Sequence, residues 1–221
     1  MDRTYYARGL NAGRLNRVYA VAGPRVRQYL AAEIAYVAQG LGAADRLLEL
    51  GCGTGRVLAA LSKKTGVIWG VDNAEESLRL AARLPGVRVA AMDAGALGFV
   101  SGRFDIVVGV QNFLSACKVP ARQVIEEALR VVRSGGRVVL TSYAEQFWPH
   151  RLEWFRAQAD EGLLGPIDEA ATGDGVIACT DGFRATTVSP KEFSAMARAV
   201  GVNARVFTVD DSSVVCDIQA P

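Results

Sequence analysis

Residues Leu47–Leu61 read LLELGCGTGRVLAAL, and this stretch decides how the chain folds. The mostly apolar run Leu47–Leu50 has the length of a buried strand, and the glycine-rich turn Gly51–Gly55 follows it directly. An apolar pattern with helical spacing begins at Val57. Strand, tight turn and helix in this order predict a backbone that approaches a ligand closely, because glycine has no Cβ and tolerates positive φ.

The spacing of the glycines separates two classes of cofactor. A dinucleotide site uses G-x-G-x-x-G, and its third glycine would fall on Arg56, whose bulk opposes close packing of helix on strand. Glu49 precedes the turn, where a carboxylate would repel a pyrophosphate and attract an ammonium or sulfonium group. The stretch therefore favours a cationic nucleoside, with a nicotinamide site and a purely structural turn as the alternatives.

Glu49, Gly51, Gly53 and Gly55 match the pattern E/D-x-G-x-G-x-G. The stretch resembles motif I of the class I S-adenosylmethionine-dependent methyltransferases. The resemblance implies S-adenosyl-L-methionine as cofactor and S-adenosyl-L-homocysteine as product. It also implies an α/β fold of the Rossmann-like kind, a three-layer sandwich around a mostly parallel seven-stranded sheet whose last strand is antiparallel.

Acidic residues follow the next two predicted strands. Asp72 ends the strand that begins at Val67 and lies 21 residues after Gly51, and Asp93 follows the strand Val87–Ala91. Ligands of open parallel sheets bind outside the carboxyl ends of the strands. By resemblance, Asp72 accepts hydrogen bonds from the ribose hydroxyls and Asp93 one from the adenine amine. The residues expected to bind the cofactor are Glu49, Gly51, Cys52, Gly53, Gly55, Asp72, Asn73, Asp93, Ala94, Val110 and Gln111.

The first 40 residues are expected to form an N-terminal helical cap of two helices, divided at Gly23-Pro24 because proline suits a first helical position. The segment is rich in tyrosine and arginine, which allows two interpretations: a solvated amphipathic pair, or a lid that closes over a substrate. The weaker candidates for substrate contacts, which include one loop amide, are Tyr6, Tyr19, Arg25 and Asn112.

Residues 144–188 interrupt the sheet pattern after the fifth predicted strand. A helix is expected from Pro149 to Leu164, followed by a hairpin that turns at Thr180-Asp181-Gly182. A long segment between sheet elements is usually functional, so we expect it to help form the substrate or lid region. Tyr143 and His150 are weak candidates for a catalytic role, and no strong general-base arrangement is visible.

The C-terminal part predicts a helix and two strands. Ser189 and Glu192 form a capping box with proline at the first helical position, and Gly201 ends the helix. We expect one methyltransferase domain over residues 1–221. Its parts are the cap at 1–40, a cofactor-binding half at 41–143, the insertion at 144–188, and a C-terminal helix with two strands at 189–221.

Composition limits the remaining functions. The 221 residues are 50% hydrophobic and carry a formal net charge of +2, which gives no strong field for nucleic acid or membranes. Four scattered cysteines and one histidine suggest neither a metal site nor a disulfide framework. No signal peptide or membrane span is evident, so a cytoplasmic protein, monomer or homodimer, is expected.

The main hypothesis is methyl transfer from S-adenosylmethionine to a small-molecule acceptor. One alternative is an RNA or protein methyltransferase that uses the arginines of the N-terminal segment. A second is a non-catalytic module that binds a nucleoside cofactor. The sequence does not identify the methyl acceptor or the atom that receives the methyl group.

Overall fold

A computed structural model describes Tyr5 and residues 9–221. Tyr6, one of the substrate candidates, lies outside the described residues. The helices are α1 Ala12–Ala20, α2 Pro24–Gln39, α3 Arg56–Leu61, α4 Glu75–Ala81, α5 Phe113–Cys117, α6 Ala121–Val131, α7 Trp148–Asp160 and α8 Pro190–Ala199. The strands are β1 Arg46–Leu50, β2 Val67–Asp72, β3 Val87–Ala91, β4 Phe104–Gly109, β5 Val132–Tyr143, β6 Ile177–Ala178, β7 Arg184–Ala185, β8 Ala204–Val209 and β9 Ser213–Gln219.

Seven of the strands in the described part of the chain form one sheet in the order β3-β2-β1-β4-β5-β9-β8. Strands β1 to β5 pair in parallel, whereas β9 pairs antiparallel with both β5 and β8. The predicted fold class is therefore confirmed, including the antiparallel last strand, which lies beside β5. Because β1 lies between β2 and β4, the glycine turn after it lies over the interior of the sheet rather than at an edge.

The sheet buries side chains on both faces. Leu48 and Leu50 belong to one core cluster, together with side chains of α6 and α8. Leu47 alternates onto the other face and packs in a cluster that includes residues of α2 and α3. Successive residues of a strand point to opposite faces, and a sheet covered on both sides therefore reads as a nearly continuous apolar run.

In its described part the N-terminal cap contains two helices, divided at Gly23-Pro24 as predicted. Pro24 is the first residue of α2, where its missing N–H costs no helical hydrogen bond. Val26, Leu30 and Val37 recur at helical spacing and are buried, while Ile34 is only half-buried. Glu33 lies on the same side of the helix and is 0% exposed, which the apolar pattern alone does not predict.

The cap and the segment after β5 share a hydrophobic cluster of their own. In it, Val18 and Tyr29 of the cap pack with Trp154 of α7 and Phe183 of the hairpin turn. The predicted hairpin is present, with β6 paired antiparallel to β7, and each of these strands has two residues. A second small core therefore joins two parts of the sequence that are far apart.

The C-terminal part agrees with the prediction. The Ser189 hydroxyl accepts from the Glu192 amide and the Glu192 carboxylate accepts from the Ser189 amide, so the capping box at the start of α8 is formed. Strands β8 and β9 follow and complete the sheet. Ser134-Gly135-Gly136, a sequence typical of a turn, lies inside the long strand β5, where the register against β4 shifts.

Candidate functional site

The glycine turn is held in an unusual backbone conformation. Gly51, Gly53 and Gly55 have φ of 69°, 51° and 84°, in the left-handed region that favours glycine. The amides of Gly51 and Cys52 both donate to the carbonyl of Val71, at 2.8 and 3.0 Å. The turn is therefore fixed by hydrogen bonds to the end of the neighbouring strand β2.

The cap packs directly on this turn. A Cβ atom at Gly53 would lie 2.7 Å from a methyl group of Leu15, in α1. The Thr54 hydroxyl donates to the side chain of Asn16 at 2.7 Å, and the Ala12 amide donates to the Ser77 hydroxyl at 2.8 Å. Helix α1 therefore covers the glycine turn, as the lid interpretation of the cap requires.

One cavity brings most of the predicted site residues together. Of the predicted residues, it is lined by Tyr19, Glu49, Gly51, Cys52, Gly53, Asp72, Asn73, Asp93, Ala94, Val110, Gln111, Asn112 and Tyr143. Gly55 is not part of the lining. A Cβ atom there would meet Leu84 at 2.5 Å and Ala81 at 3.1 Å, so this glycine allows close packing against α4 and the loop after it.

Glu49 is the most perturbed carboxyl group in the cavity lining. It is 3% exposed, and its Oε2 atom has no hydrogen-bond partner. Burial raises its pKa to about 8, although the nearby Arg56 guanidinium lowers it and the Asp72 carboxylate raises it further. A cation placed beside Glu49 would pair with it and restore its ionised form.

Asp72 and Asp93 occupy the ends of β2 and β3. The Asp72 carboxylate accepts from the Gly53 amide and from the Ala74 amide, both at 2.8 Å. The Asp93 carboxylate accepts from the Gly95 amide at 2.8 Å. Because a carboxylate offers about four acceptor positions, each can also accept from a ligand hydroxyl or amine.

The loop after β4 is strained. Gln111 and Asn112 have φ of 58° and 60°, a conformation that costs energy for residues with side chains and that is common at functional sites. Gln111 lines the cavity, and its Nε2 atom is buried without a partner. Its Oε1 atom accepts from the Tyr19 hydroxyl at 3.4 Å, which connects it to the cap.

Asn112 has a structural role that the sequence did not reveal. Its Nδ2 donates to the carbonyl of Thr186 at 2.8 Å, and its Oδ1 accepts from the Ser142 hydroxyl at 2.8 Å. Both ends of the amide are therefore used to join the β4 loop to β5 and to the segment after the hairpin. This leaves Gln111 as the better placed amide for contact with a ligand.

Glu33 of α2 holds the strained loop after β4 in place through hydrogen bonds. Its carboxylate accepts from the Gln111 amide at 2.8 Å and from the Ser213 hydroxyl at 2.7 Å. Burial raises its pKa to about 7, against the opposing effect of these hydrogen bonds. Its acidic side chain on the apolar stripe of α2, three residues after Leu30, is the sequence signal that could have identified it.

The far side of the cavity is aromatic. It is lined by Trp154, Phe155 and Gln158 of α7, together with Phe183 and Ala185 of the hairpin, all from elements other than the strand ends that carry the acidic residues. Gln158 is 2% exposed, and its Nε2 atom has no partner. The sequence did not predict these contacts, although a glutamine on the same helical face as Trp154 and Phe155 is a usable signal.

Tyr143 lines this side, in contact with a buried arginine. The Arg151 guanidinium lies 4.6 Å from the centre of its ring. Burial raises the pKa of Tyr143 to about 12 despite that positive charge, so the side chain is a neutral phenol at physiological pH. A neutral phenol can donate or accept a hydrogen bond, but it is a weak base.

The structure places two other candidates outside the cavity lining. Arg25 pairs with the Asp210 carboxylate at 2.6 Å and lies over the Phe147 ring at 5.1 Å, so it connects α2 to the β8–β9 turn. His150 is exposed on α7, with its ring 5.6 Å from that of Phe147. Neither position brings the side chain to the predicted cofactor residues.

The other described arginines of the cap are used within the protein. Arg14 donates to the carbonyls of Gly162 and Leu163, at 2.9 and 3.1 Å, and Arg17 pairs with Glu161 at 2.6 Å. Arg27 donates to the carbonyl of Ala22 at 2.7 Å. The contacts of Arg14 and Arg17 hold α1 against the end of α7, which weakens the case for an arginine surface that binds RNA.

Cys52 lines the cavity through its backbone and its buried side chain, and its thiol is not suited to act as a nucleophile. Its side chain is 5% exposed, and burial beside Glu49 and Asp72 raises the pKa of the thiol. A thiol in this environment stays protonated and is a poor nucleophile. In the described part of the chain, no helix is both long enough and apolar enough to cross a bilayer.

Comparison with known sequences supports this description of the site. Residues 47–136 match the model of a family described as a methyltransferase domain. The matched range contains the glycine turn and the three acidic residues of the cavity. A comparison with curated proteins finds no match to this sequence.

Solved structures share the fold at low sequence identity. A SAM-dependent methyltransferase from Thermotoga maritima, described as a possible histamine N-methyltransferase, matches with a TM-score of 0.67 and 18% identity over 98% of each chain. DhpI in complex with SAM and HEP matches with a TM-score of 0.64 and 22% identity over 97% of this chain and 94% of that one. The cyclase SpnF matches with a TM-score of 0.62 and 18% identity over 85% of this chain and 79% of that one. Such identities establish the fold, which supports more than one chemistry.

Proposed function

We propose that this chain is a class I S-adenosylmethionine-dependent methyltransferase, which the match of residues 47–136 to a methyltransferase domain supports, and that it methylates a small-molecule acceptor bound between the glycine turn and the aromatic side of the cavity. The single observation that carries the proposal is the cavity itself. Its cofactor side comes from the strand ends of the sheet, and its other side comes from α1, α7 and the hairpin. In this assignment residues 1–40 and 144–188 together form the acceptor chamber.

The residues of the cofactor side suit S-adenosylmethionine. Glu49 has an unpartnered buried oxygen that a cationic group would pair with, and Asp72 and Asp93 retain acceptor positions for ribose hydroxyls and the adenine amine. The bare backbone of Gly51 and Gly53 allows the close approach that any Cβ would prevent. When bound, the cofactor supplies a methyl group already activated by positive sulfur.

The acceptor side favours a small molecule over a macromolecule. Trp154, Phe155 and Phe183 are 5%, 6% and 3% exposed, so the wall is built from buried side chains rather than from an open surface. Pockets for small ligands typically combine such apolar walls with a few polar groups. Here Gln111, Gln158 and the neutral phenol of Tyr143 supply the polar groups.

The protein itself contributes to methyl transfer by positioning the acceptor against the methyl group and by excluding water from the cavity. Alignment of a nucleophile with the methyl group can supply roughly 7–11 kcal/mol of barrier reduction in favourable cases. The acidic residues in the described cavity lining, Glu49, Asp72 and Asp93, all lie on the cofactor side. An acceptor whose nucleophilic atom is already unprotonated, such as a neutral nitrogen, a thiolate or a phenolate, fits this chamber better than an aliphatic alcohol.

The proposal is tested by following the label from S-adenosylmethionine that carries a tritiated methyl group. The protein is incubated separately with a filtered extract of small molecules, with RNA and with protein. We expect label to appear in the small-molecule fraction and to fall at least about tenfold with Asp72→Asn, because that change removes one charge facing the cofactor. Label in RNA or protein alone, or no labelled product in any fraction, contradicts the proposal.

A further inference from the structure

Two amide groups of the cavity lining have hydrogen-bond donors that are not used within the protein. Gln158 of α7 is 2% exposed, and its Nε2 atom has no partner among the described residues. The Nε2 atom of Gln111 is also buried and unpartnered in the described part of the chain, while its Oε1 atom accepts from the Tyr19 hydroxyl at 3.4 Å. An amide NH2 group can only donate, so these two groups indicate a ligand that accepts hydrogen bonds.

A buried positive charge lies against the same wall. Arg151 is 0% exposed and is not part of the described lining, but it contacts three residues that are. Its guanidinium lies 4.6 Å from the ring centre of Tyr143 and 5.5 Å from that of Phe155, and it donates to the carbonyl of Ala185 at 3.2 Å. Arg56, at the start of α3, is a second cation and lies in the lining itself. An anion bound against α7 and the hairpin would therefore be attracted by positive charge.

The acidic residues of the described lining come from the strand ends and not from α7 or the hairpin. They are Glu49, Asp72 and Asp93. Glu33 also acts on Tyr143, but it is 0% exposed, lies outside the lining and accepts from the backbone amide of Gln111 at 2.8 Å. A protonated amine bound against α7 would meet amide donors and a like charge, which is unfavourable.

The rings of this wall suit a flat apolar group. The Phe155 ring lies 6.0 Å from that of Trp154 and 5.7 Å from that of Phe183. Aromatic faces can also hold a cation, but the Arg151 guanidinium already lies over the rings of Phe155 and Tyr143. The wall therefore favours an aromatic ring of the ligand, packed by stacked or edge-to-face contacts.

We propose that the acceptor is an aromatic carboxylate, whose ring packs against the aromatic wall and whose oxygen atoms accept hydrogen bonds from Gln111 and Gln158. The inference rests on the proposed function, because it names the class of acceptor for the same chamber. It implies selection for aromatic acids over the corresponding neutral amides and cationic amines. Gln158 is then a residue that determines specificity.

The experiment measures the binding of matched aromatic probes by isothermal titration calorimetry at pH 7, with S-adenosylhomocysteine at saturation. The probes are benzoate and 2-naphthoate, their neutral amides, and the analogues in which a cationic aminomethyl group replaces the carboxylate. We expect an acid to bind at least about tenfold more tightly than its amide and its amine, because only the acid accepts charge-assisted hydrogen bonds.

Gln158→Leu tests the assigned donor. The change should weaken binding of the acid about tenfold and of the amine less than about twofold, with the S-adenosylhomocysteine affinity unchanged. Gln146→Leu, at an exposed glutamine outside the lining, is the matched control and should leave all affinities unchanged. If Gln158→Leu does not fold, Gln158→Met is compared in the same way.

The outcomes separate the inference from the proposed function. The inference is overturned, while the function stands, if no acid binds, if an amide or amine binds as tightly as its acid, or if the Gln158 variant keeps full affinity for the acid. Failure of the unaltered protein to bind S-adenosylhomocysteine overturns the proposed function as well.

Discussion

The cofactor side and the acceptor side of the cavity are built in different ways. The cofactor side is local in sequence: β1, the turn Gly51–Gly55 and α3 follow one another, and the backbone itself shapes the site. The acceptor side is assembled from α1, α7 and the β6–β7 hairpin, and more than a hundred residues of chain separate α1 from the other two. A local, backbone-based site leaves a sequence signature, whereas a wall of side chains from distant segments does not.

The sharpest way to break the local site is Gly51→Ala. Gly51 has φ of 69°, and a Cβ atom there would collide with the Phe113 ring. We expect a loss of about 3 kcal/mol or more in the free energy of unfolding, together with about a hundredfold weaker binding of S-adenosylhomocysteine. Denaturant titration and calorimetry measure the two effects.

The control for this change is Gly86→Ala. Gly86 has a similar φ of 72°, but no atom lies within 4 Å of the position its Cβ would take. It should therefore show only the conformational cost, about 1–2 kcal/mol, with unchanged binding. Equal effects of the two substitutions would contradict the argument from close packing.

Glu49→Gln tests the electrostatics of the local site. The carboxyl group has a pKa of about 8 in the folded protein against 4.5 ordinarily, so its ionisation opposes folding of the ligand-free protein. That cost is absent below about pH 4.5, grows as the pH rises and levels off above about pH 8. Glu49→Gln should therefore stabilise the ligand-free protein at pH 8, by an amount on the order of 3 kcal/mol, and not at pH 4.5.

Thermal unfolding across this pH range measures the difference. The substitution leaves in place the other charged or titratable groups that interact with Glu49. These groups are Arg56, Asp72, Tyr19 and Cys52. The same variant should bind S-adenosylhomocysteine more weakly, since the ammonium group loses its partner. A uniform stability change at all pH values would show that Glu49 is not buried as described.

Gln158→Leu tests the acceptor side in isolation. The change keeps the volume roughly constant, removes a buried amide with an unpartnered nitrogen and touches no residue of the glycine turn. Once an acceptor is known, we expect its KM to rise about tenfold with an unchanged S-adenosylhomocysteine affinity. Gln146→Leu, at an exposed glutamine outside the cavity lining, is the matched control. A lower cofactor affinity in Gln158→Leu alone would refute the separation of the two sides.

Arg25→Met should have the smallest effect. Its pairing with Asp210 is partly exposed, with 28% and 19% of the two side chains accessible. We expect a loss of about 1 kcal/mol in stability, because such ion pairs contribute little, and no change in ligand affinity. A large loss of S-adenosylhomocysteine binding would show that Arg25 takes part in ligand binding, which contradicts its observed position outside the cavity lining.

The sequence predicts the cofactor side of the cavity much better than the acceptor side. The resemblance of the short stretch Leu47–Leu61 implied the fold class, and the cavity positions of Glu49, Asp72 and Asp93 follow from their places near the ends of predicted strands. The roles of Gln158 and Phe183 depend on how α7 and the hairpin pack against the cap, and no local pattern encodes that geometry. Asn112 shows the limit most clearly, because its partners Ser142 and Thr186 are 30 and 74 residues away.

A crystal structure with S-adenosylhomocysteine tests the central claim most directly. The account predicts the adenosine across the carboxyl ends of β1, β2 and β3, with the Asp72 carboxylate within hydrogen-bond distance of the ribose hydroxyls. An empty crevice in crystals grown at saturating ligand, or a bound ligand from which Asp72 is turned away, would contradict it.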